Sequence, residues 1–427
     1  MISAILLGFA VDSDSLRRAS HERRAVEDAT RQSENGPDHF RQTNELSSIS
    51  FAPTASGEKV FALQADNILL RFSGSGASPA ELPLASPPLS QEIFGAHLIA
   101  TNLDQSILFI LIRGDAQSHS SVAVVDTVEM KLLRTYPLPG GMEFQGIAVG
   151  ARTGHIYLSG NQIRGSPVPR SVPFNSHSYI GDPVVWVLDP GDGTVIHRWR
   201  PNLPEENDWL VYQAEPSEDE GQILVSYHGS NTTGIDSFDV REDELLRCKS
   251  RQTPRFGCTY AHGAFIQVRD RLFTATGRPG ILEHKSGRVD RVFDTELEGN
   301  HLMEFTIDHG QGRIYAIGSC GNAGGLSVLE LNGGGQDAKM NADGWSWQVV
   351  GNPAPRPQIL IKNREVCGER IAVESGSLIV VAQTHGPGSL DIPGALLFLD
   401  GGTGQLISRF ISRSHPVDVA IIHVGLP

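Results

Sequence analysis

The chain has 427 residues, of which 39% are hydrophobic and 20% charged, and its 46 glycines and 25 prolines are spread along its whole length. This composition favours a globular fold of many short strands joined by turns. The formal net charge of −14 argues against a nucleic-acid partner, because phosphate binding needs a basic surface. No apolar run approaches the roughly 20 residues of a membrane-spanning helix, so we expect no membrane partner.

The first 45 residues form a separate N-terminal segment in the sequence pattern. The apolar run "ISAILLGFAV" (2–11) has no basic stretch before it and no clear cleavage site after it, and it therefore predicts a buried strand rather than a signal peptide. This predicts a cytoplasmic protein, with secretion left open as the alternative. Residues 11–45 are rich in Arg, Glu and Ser, which predicts a helix or a mobile stretch outside the main domain.

From residue 46 onward one unit recurs. It consists of an apolar strand, a turn with Gly or Asp, a second strand, a loop, and a third strand that often ends in Asp. The cleanest copies are "SVAVVDTVEMKLLRTYPLPG" (121–140) and "FQGIAVGARTGHIYLSG" (144–160). First strands are predicted near residues 48, 96, 144, 211, 261, 301 and 369. This spacing brackets the length of a four-stranded propeller blade.

These repeats resemble the YVTN-type β-propeller repeat, and "VAVVDTVEMKLLRTYPLPGGMEFQGIAVGARTGHIYLSG" (122–160) matches nearly the whole unit. The resemblance implies that residues 46–427 form an all-β, seven-bladed propeller of four-stranded antiparallel blades. The final stretch "PVDVAIIHVGLP" (416–427) is predicted to close the ring beside the N-terminus, and an eighth blade is the alternative. Relatives of this type include lactonases, cycloisomerases, redox-enzyme subunits and binding proteins, so the resemblance implies fold more than function.

Two units carry insertions, at 161–183 and at 332–358. The first interrupts the third unit between its second and third strands, and the second lies between the sixth and seventh units. Blades do not need such length to pack, so long loops of this kind cap the channel or bind a partner. We predict that 161–183 forms a lid over the pocket.

Histidines concentrate on one predicted face of the ring. In a propeller the loops between second and third strands share a face with the loops that enter each blade, and together they surround the mouth of the central channel. By the predicted register, eight of the 15 histidines fall on this face: His97, His119, His177, His228, His262, His301, His385 and His415. A single histidine would be unremarkable, but this one-sided distribution predicts a functional site.

The first hypothesis for this face is a small-molecule enzyme that uses acid–base chemistry of the lyase, isomerase or cyclase type. Its predicted catalytic residues are His228, His262, His301, His385 and Tyr212. Its predicted substrate-binding residues are Arg278 and Arg370, which would hold an anionic group, together with His177, Trp209 and Tyr227.

Two further hypotheses stay open. In one, His97, His262, His301 and His415 hold a transition metal (Cu, Zn or Fe), although ligands drawn from separate blades leave no local spacing motif. No other cofactor is indicated. In the other, the rim is a non-catalytic module that binds a peptide, a glycan or a partner protein. A monomer is expected in each case.

The four cysteines are too few for a disulfide scaffold in a chain of this length. Cys320 and Cys367 fall in neighbouring units on the same predicted face, where a disulfide, a metal pair and two unrelated thiols are all open. Cys248 and Cys258 bracket the connection between the fourth and fifth units. Unpaired thiols are slightly favoured.

Overall fold

The computed structural model describes residues 58–423 except 74–77, 85–97, 114–118, 164–180, 203–209, 229–231, 242–243, 248–255, 258–264, 269–270, 276–279, 286–287, 298–301, 309, 320–324, 332–335, 341–346, 350–358, 375–376, 384–393 and 413. In this part of the chain the secondary structure is all β, and the strands in chain order are β1 (Glu58–Gln64), β2 (Ile68–Ser73), β3 (Ala80–Pro83), β4 (Ile99–Thr101), β5 (Ile107–Ile112), β6 (Ser121–Asp126), β7 (Lys131–Pro137), β8 (Met142–Val149), β9 (Ile156–Ile163), β10 (Gly181–Leu188), β11 (Val195–Trp199), β12 (Leu210–Pro216), β13 (Gln222–His228), β14 (Thr232–Arg241), β15 (Glu244–Arg247), β16 (Phe256–Gly257), β17 (Phe265–Val268), β18 (Arg271–Ala275), β19 (Gly280–Lys285), β20 (Arg288–Asp294), β21 (Leu302–Asp308), β22 (Arg313–Gly318), β23 (Leu326–Glu330), β24 (Gln336–Met340), β25 (Trp347–Val349), β26 (Ile359–Asn363), β27 (Arg370–Glu374), β28 (Leu378–Gln383), β29 (Ala395–Asp400), β30 (Leu406–Ile411) and β31 (Pro416–His423).

These strands form the seven antiparallel blades of a β-propeller, which confirms the predicted fold class. From the innermost strand outward, the sheets are blade 1 (β31-β1-β2-β3), blade 2 (β4 to β7), blade 3 (β8 to β11), blade 4 (β12 to β15, with β16 beside β14), blade 5 (β17 to β20, then β24 and β25), blade 6 (β21, β22, β23, β26) and blade 7 (β27 to β30). Neighbouring innermost strands contact one another around the axis, for example β27 with β31 and β31 with β4.

The ring closes through the C-terminal strand. β31 pairs antiparallel with β1 over most of its length, from Glu58 opposite His423 to Leu63 opposite Asp418. The prediction that the termini close a seven-bladed ring is therefore confirmed. β31 fills the innermost position of blade 1, and the strand predicted near residue 48 lies outside the described residues.

Burial explains why these segments are strands. The middle strands pack against blades on both sides and are largely apolar, as in "ILFILI" of β5, whereas outer strands alternate between half-buried and exposed residues, as in β26. Aromatic rings fill the spaces between sheets. On one face of blade 3 the Phe144 ring meets Trp186 edge to face at 5.4 Å, and between blades 1 and 7 Phe72 meets Phe398 in the same way at 5.3 Å.

Hydrogen bonds also join blade 4 to blade 3 at the end of the propeller where innermost strands finish and second strands begin. Glu220 lies in the turn between β12 and β13 with a left-handed φ of 55°. Its carboxylate accepts hydrogen bonds from the backbone N–H of Arg152 (2.7 Å) and Thr153 (2.8 Å) and from the hydroxyls of Thr153 (2.6 Å) and Tyr157 (3.2 Å) of blade 3. Burial alone would raise the pKa of Glu220, but these hydrogen bonds outweigh it and lower the pKa.

The two insertions lie in different blades, and the second adds strands to a neighbouring sheet. β9 continues to Ile163 and β10 begins at Gly181, so the first insertion interrupts blade 3 between its second and third strands, and 164–180 lies outside the described residues. The second does not simply join blades 6 and 7. It leaves blade 6 between β23 and β26, and β24 pairs with the outermost strand of blade 5, with Asp337 opposite Arg291. An outermost strand offers unpaired N–H and C=O groups, and the hairpin uses them.

Candidate functional site

The entry end of the propeller is the end at which innermost strands begin and second strands finish. In blade 1 the N–H of Ala65, just after β1, donates to the carbonyl of His415, just before β31, at 2.8 Å. In blade 4 His228 at the end of β13 lies opposite Leu210 at the start of β12. The predicted sharing of one end by these two kinds of connection is therefore seen in the backbone.

Five innermost strands carry a buried polar side chain within their first four residues at this end. We call these residues the inner polar set: Gln145, Gln213, Glu304, Arg370 and Asp418, each with 6% exposure or less. Burying such groups without partners would cost several kcal/mol each, so the fold must supply partners for them. The partners come from neighbouring blades.

Arg370, at the start of β27, lies between two carboxylates from the blades on either side. Its Nη1 is 3.2 Å from Glu304 Oε1 of blade 6, and its Nε is 4.0 Å from Asp418 Oδ1 of blade 1. Burial alone would lower the pKa of the Arg370 guanidinium, but the charges of Glu304 and Asp418 outweigh burial and raise the pKa. Arg370 is therefore a permanently charged bridge between three blades.

The same carboxylates also hold the first backbone groups of the next blade. Asp418 Oδ2 accepts hydrogen bonds from the N–H groups of Leu98 (2.6 Å) and Ile99 (2.9 Å) of blade 2. Glu304 Oε2 accepts one from the N–H of Ile371 of blade 7 at 2.7 Å. Each carboxylate thus fixes the start of the neighbouring innermost strand as well as the guanidinium.

A second network serves blades 2 and 3. The Arg113 guanidinium, just after β5, contacts Glu143 Oε1 at 3.4 Å and makes a close hydrogen bond to Gln145. Gln145 Nε2 donates to Glu143 Oε1 at 3.0 Å, and Gln213 Nε2 of blade 4 donates to the carbonyl of Ile147 at 3.1 Å. The sequence analysis missed these residues, although a polar residue near the start of an apolar first strand is a signal that recurs in the repeat.

Besides Arg370, four of the predicted site residues lie wholly or partly within the described residues. The side chains of Tyr212 and Tyr227 are fully buried, and Tyr227 Oη donates to buried Asp236 Oδ2 at 2.9 Å. His228 ends β13, and His415 is half-buried beside β31. The roles proposed for these residues, and for Arg370 in binding an anion, stay predictions. The remaining predicted site residues lie outside the described residues: His97, His177, Trp209, His262, Arg278, His301 and His385.

Within the described ranges, no group of three or more His, Cys, Asp or Glu side chains is arranged to hold a metal ion. Only His415 of the predicted metal set lies in those ranges, so the metal hypothesis stays a prediction. Cys367 is disulfide-bonded, and Gln383 Nε2 lies 3.2 Å from its sulfur. The slight preference for unpaired thiols was therefore wrong for Cys367. No helix in the described part of the chain is long and apolar enough to cross a membrane.

Comparison with known proteins supports the fold. No family model and no curated protein sequence matches the chain, so the resemblance to the YVTN repeat is not confirmed. Solved structures with a similar fold include the periplasmic gluconolactonase PpgL of Pseudomonas aeruginosa, which is 11% identical and matches with a TM-score of 0.54 over 87% of this chain and 100% of that chain. A putative 6-phosphogluconolactonase from Bacteroides uniformis is 11% identical, with a TM-score of 0.52 over 86% and 100%. A protein from Lactobacillus plantarum is 12% identical, with a TM-score of 0.51 over 86% and 99%. At such low identity the similarity shows a shared propeller fold.

Proposed function

We propose that the protein is a small-molecule enzyme that hydrolyses a lactone at the entry end of the channel. The observation that carries this proposal is the buried bridge from Glu304 through Arg370 to Asp418. Charged groups kept in an interior are costly and concentrate at functional sites. The names of the solved relatives, a gluconolactonase and a putative 6-phosphogluconolactonase, favour lactone hydrolysis over the lyase, isomerase or cyclase chemistry expected from the sequence.

The chemistry needs acid–base groups at the channel mouth. A general base removes a proton from water, whose oxygen bonds to the lactone carbonyl carbon, and the negative charge moves to the carbonyl oxygen. The ring C–O bond then breaks, the leaving alkoxide takes a proton from a general acid, and a hydroxy acid results. Histidine suits both proton transfers at neutral pH. We assign them to members of the predicted catalytic group: His228, His262, His301 and His385, assisted by Tyr212.

The test is hydrolysis of glucono-1,5-lactone, followed by acid release and corrected for the spontaneous reaction. Alanine at each of these four histidines should give at least one variant whose kcat is lower by about 100-fold or more, the range for loss of a general acid or base. His155→Ala is the matched control, because His155 lies in the turn between β8 and β9 at the opposite end. Wild-type turnover no faster than the spontaneous reaction would refute the proposal, as would four variants as active as the His155 control.

The proposed enzyme acts outside a reducing compartment. Disulfides persist in oxidising environments and are rare in the cytosol, so the Cys367 disulfide favours export over the cytoplasmic location expected from the sequence. Trapping free thiols in cell fractions before a non-reducing gel tests this. An alkylated Cys367 in protein from the native cytosol would contradict it.

A further inference from the structure

The connection between blades 6 and 7 holds a cysteine that takes part in a disulfide. β26 of blade 6 ends at Asn363 and β27 of blade 7 begins at Arg370, so residues 364–369 cross from one blade to the next at the entry end. Cys367 lies in this connection, is 8% exposed and is disulfide-bonded. Its sulfur therefore bonds to a cysteine of a second molecule or to one of the other three cysteines of the chain, which are Cys248, Cys258 and Cys320.

Two backbone hydrogen bonds hold this connection against the sheets on both sides. The N–H of Gly368 donates to the carbonyl of Gly318, the last residue of β22 in blade 6, at 3.1 Å. The N–H of Glu369 donates to the carbonyl of Ala382, on β28 of blade 7, at 2.9 Å. A Cβ added at Gly368 would lie 2.6 Å from that second carbonyl oxygen, so the backbone is tightly packed here. Cys367 is therefore held beside the end of β22.

The chain brings Cys320 to the same place. Cys320 itself lies outside the described residues, but it follows Gly318 by two residues, and the N–H of Gly318 donates to the carbonyl of Gly325 at 2.8 Å. Two residues span at most about 7 Å, and the Cα atoms of a disulfide lie about 4.4–6.8 Å apart. Since Cys367 adjoins the residue that is hydrogen-bonded to Gly318, chain connectivity alone keeps Cys320 within reach of it.

The other two cysteines adjoin a blade that does not touch this connection. Cys248 immediately follows β15 and Cys258 immediately follows β16, and both strands belong to the sheet of blade 4. Blade 5 lies between blades 4 and 6, and packed sheets stand about 10 Å apart. A disulfide from either cysteine to Cys367 would have to cross blade 5, which the short reach of the bond does not allow. The burial of Cys367 opposes a bond to a second molecule.

We infer that Cys367 pairs with Cys320, and that this disulfide is a covalent latch between blades 6 and 7 at the entry end. The two thiols exchange with the disulfide of a protein or small-molecule oxidant, so the chain loses two electrons and two protons and the oxidant leaves as two thiols. The connection that carries the latch runs directly into Arg370, whose Nη1 lies 3.2 Å from Glu304 Oε1 of blade 6. The latch therefore joins the two blades beside the buried bridge.

The first test maps the bond in wild-type protein produced in an oxidising compartment. Free thiols are blocked with N-ethylmaleimide in denaturant, and a tryptic digest is analysed by mass spectrometry before and after reduction. Trypsin places the four cysteines in separate peptides, which cover residues 248–249, 256–269, 314–339 and 365–370. We expect 365–370 linked to 314–339, with the link lost on reduction. Alkylated 365–370 in the unreduced digest, or its linkage to another copy of itself or to a peptide from blade 4, would overturn the inference.

The second test measures what the latch holds, by hydrogen exchange in wild type and in Cys320→Ser. The reporters are the N–H groups of Gly368 and Ile371, which bond to the carbonyl of Gly318 and to Glu304 Oε2. We expect both to exchange faster in the variant by at least about tenfold, the lower end of what loss of a disulfide does to an opening equilibrium.

Cys248→Ser is the matched control, because it leaves the inferred pair intact, and both reporters should exchange in it as in wild type. If Cys320→Ser does not fold, wild-type protein reduced by a phosphine under native conditions takes its place. Unchanged exchange after loss of the bond, or equal acceleration in Cys248→Ser, would show that no latch acts between these blades. Neither test involves turnover, so each outcome is independent of the proposed lactone hydrolysis.

Discussion

Replacing Arg370 by methionine tests whether the buried bridge holds the blades together. The substitution keeps much of the aliphatic stem but removes the guanidinium between Glu304 and Asp418, whose side chains are only 4% and 2% exposed. Two carboxylates from different blades would then face each other across a cavity without a counter-charge. Removal of one partner of a buried pair is strongly destabilising for this reason.

The magnitude follows from the distances. With an effective dielectric constant of about 20, unit charges 3.2 Å and 4.0 Å apart attract by about 5 and about 4 kcal/mol. Desolvation of the three groups offsets much of this attraction, so the intact bridge contributes little net free energy. The loss of its centre still costs about 3–5 kcal/mol, because the burial of Glu304 and Asp418 is no longer compensated.

The assay is equilibrium unfolding in urea, with Arg370→Met compared with the triple variant Arg370→Met, Glu304→Gln, Asp418→Asn. The amide oxygens of the triple variant can still accept hydrogen bonds from the N–H groups of Ile371 and Leu98. We expect the triple variant to regain most of the free energy of unfolding that Arg370→Met loses, so the effects of the substitutions are far from additive. A single variant within about 1 kcal/mol of wild type would refute the reasoning, since a buried charge without a partner must cost more.

Three further predictions concern stability. His284 is buried, and burial lowers its pKa to about 4, so folding favours the neutral ring. The contribution of His284 to the free energy of unfolding is therefore complete above pH 6.5 and falls by about 3 kcal/mol as the pH drops to about 4. His284→Gln should flatten that part of the pH–stability curve. Glu220→Ala should lower the free energy of unfolding by about 2 kcal/mol, because it leaves the hydroxyl of Tyr157 and two backbone N–H groups without their acceptor, and a urea curve unchanged from wild type would contradict this. Gly404→Ala should lower the free energy of unfolding more than Gly154→Ala does in the same assay. Both glycines have a positive φ, at 67° and 72°, but only at Gly404 would the new Cβ collide with Ile361. Equal losses for the two variants would contradict this prediction.

The propeller could be predicted from sequence because its signal is local and repeated. Each blade contains short apolar runs broken by Asp–Gly and Pro–Gly turns, and β6 to β9 follow the quoted repeat closely. The sequence alone did not show that β31 takes the innermost position of blade 1, because the pairing between β1 and β31 joins residues more than 350 positions apart and no local pattern reports which strand takes that edge. The docking of β24 on β20 was missed for the same reason.

The candidate site was harder to predict because its described partners come from separate blades. Arg370 was singled out as a residue that binds an anion, but a single sequence does not show that Glu304 lies 66 positions earlier and Asp418 lies 48 positions later on the two flanking blades.

Ring closure and the candidate site share the same residues. β31 completes blade 1 by pairing with β1, and its third residue, Asp418, reaches the first N–H groups of blade 2 and the guanidinium of Arg370 in blade 7. Closing the ring therefore also sets the position of the Arg370 guanidinium. A substitution that weakens the pairing of β31 would alter the entry end without changing any residue of the predicted catalytic group. It would release Asp418 from the N–H groups of blade 2 and from the Arg370 guanidinium at once. Stability and the electrostatics of the channel are for this reason coupled in the C-terminal strand.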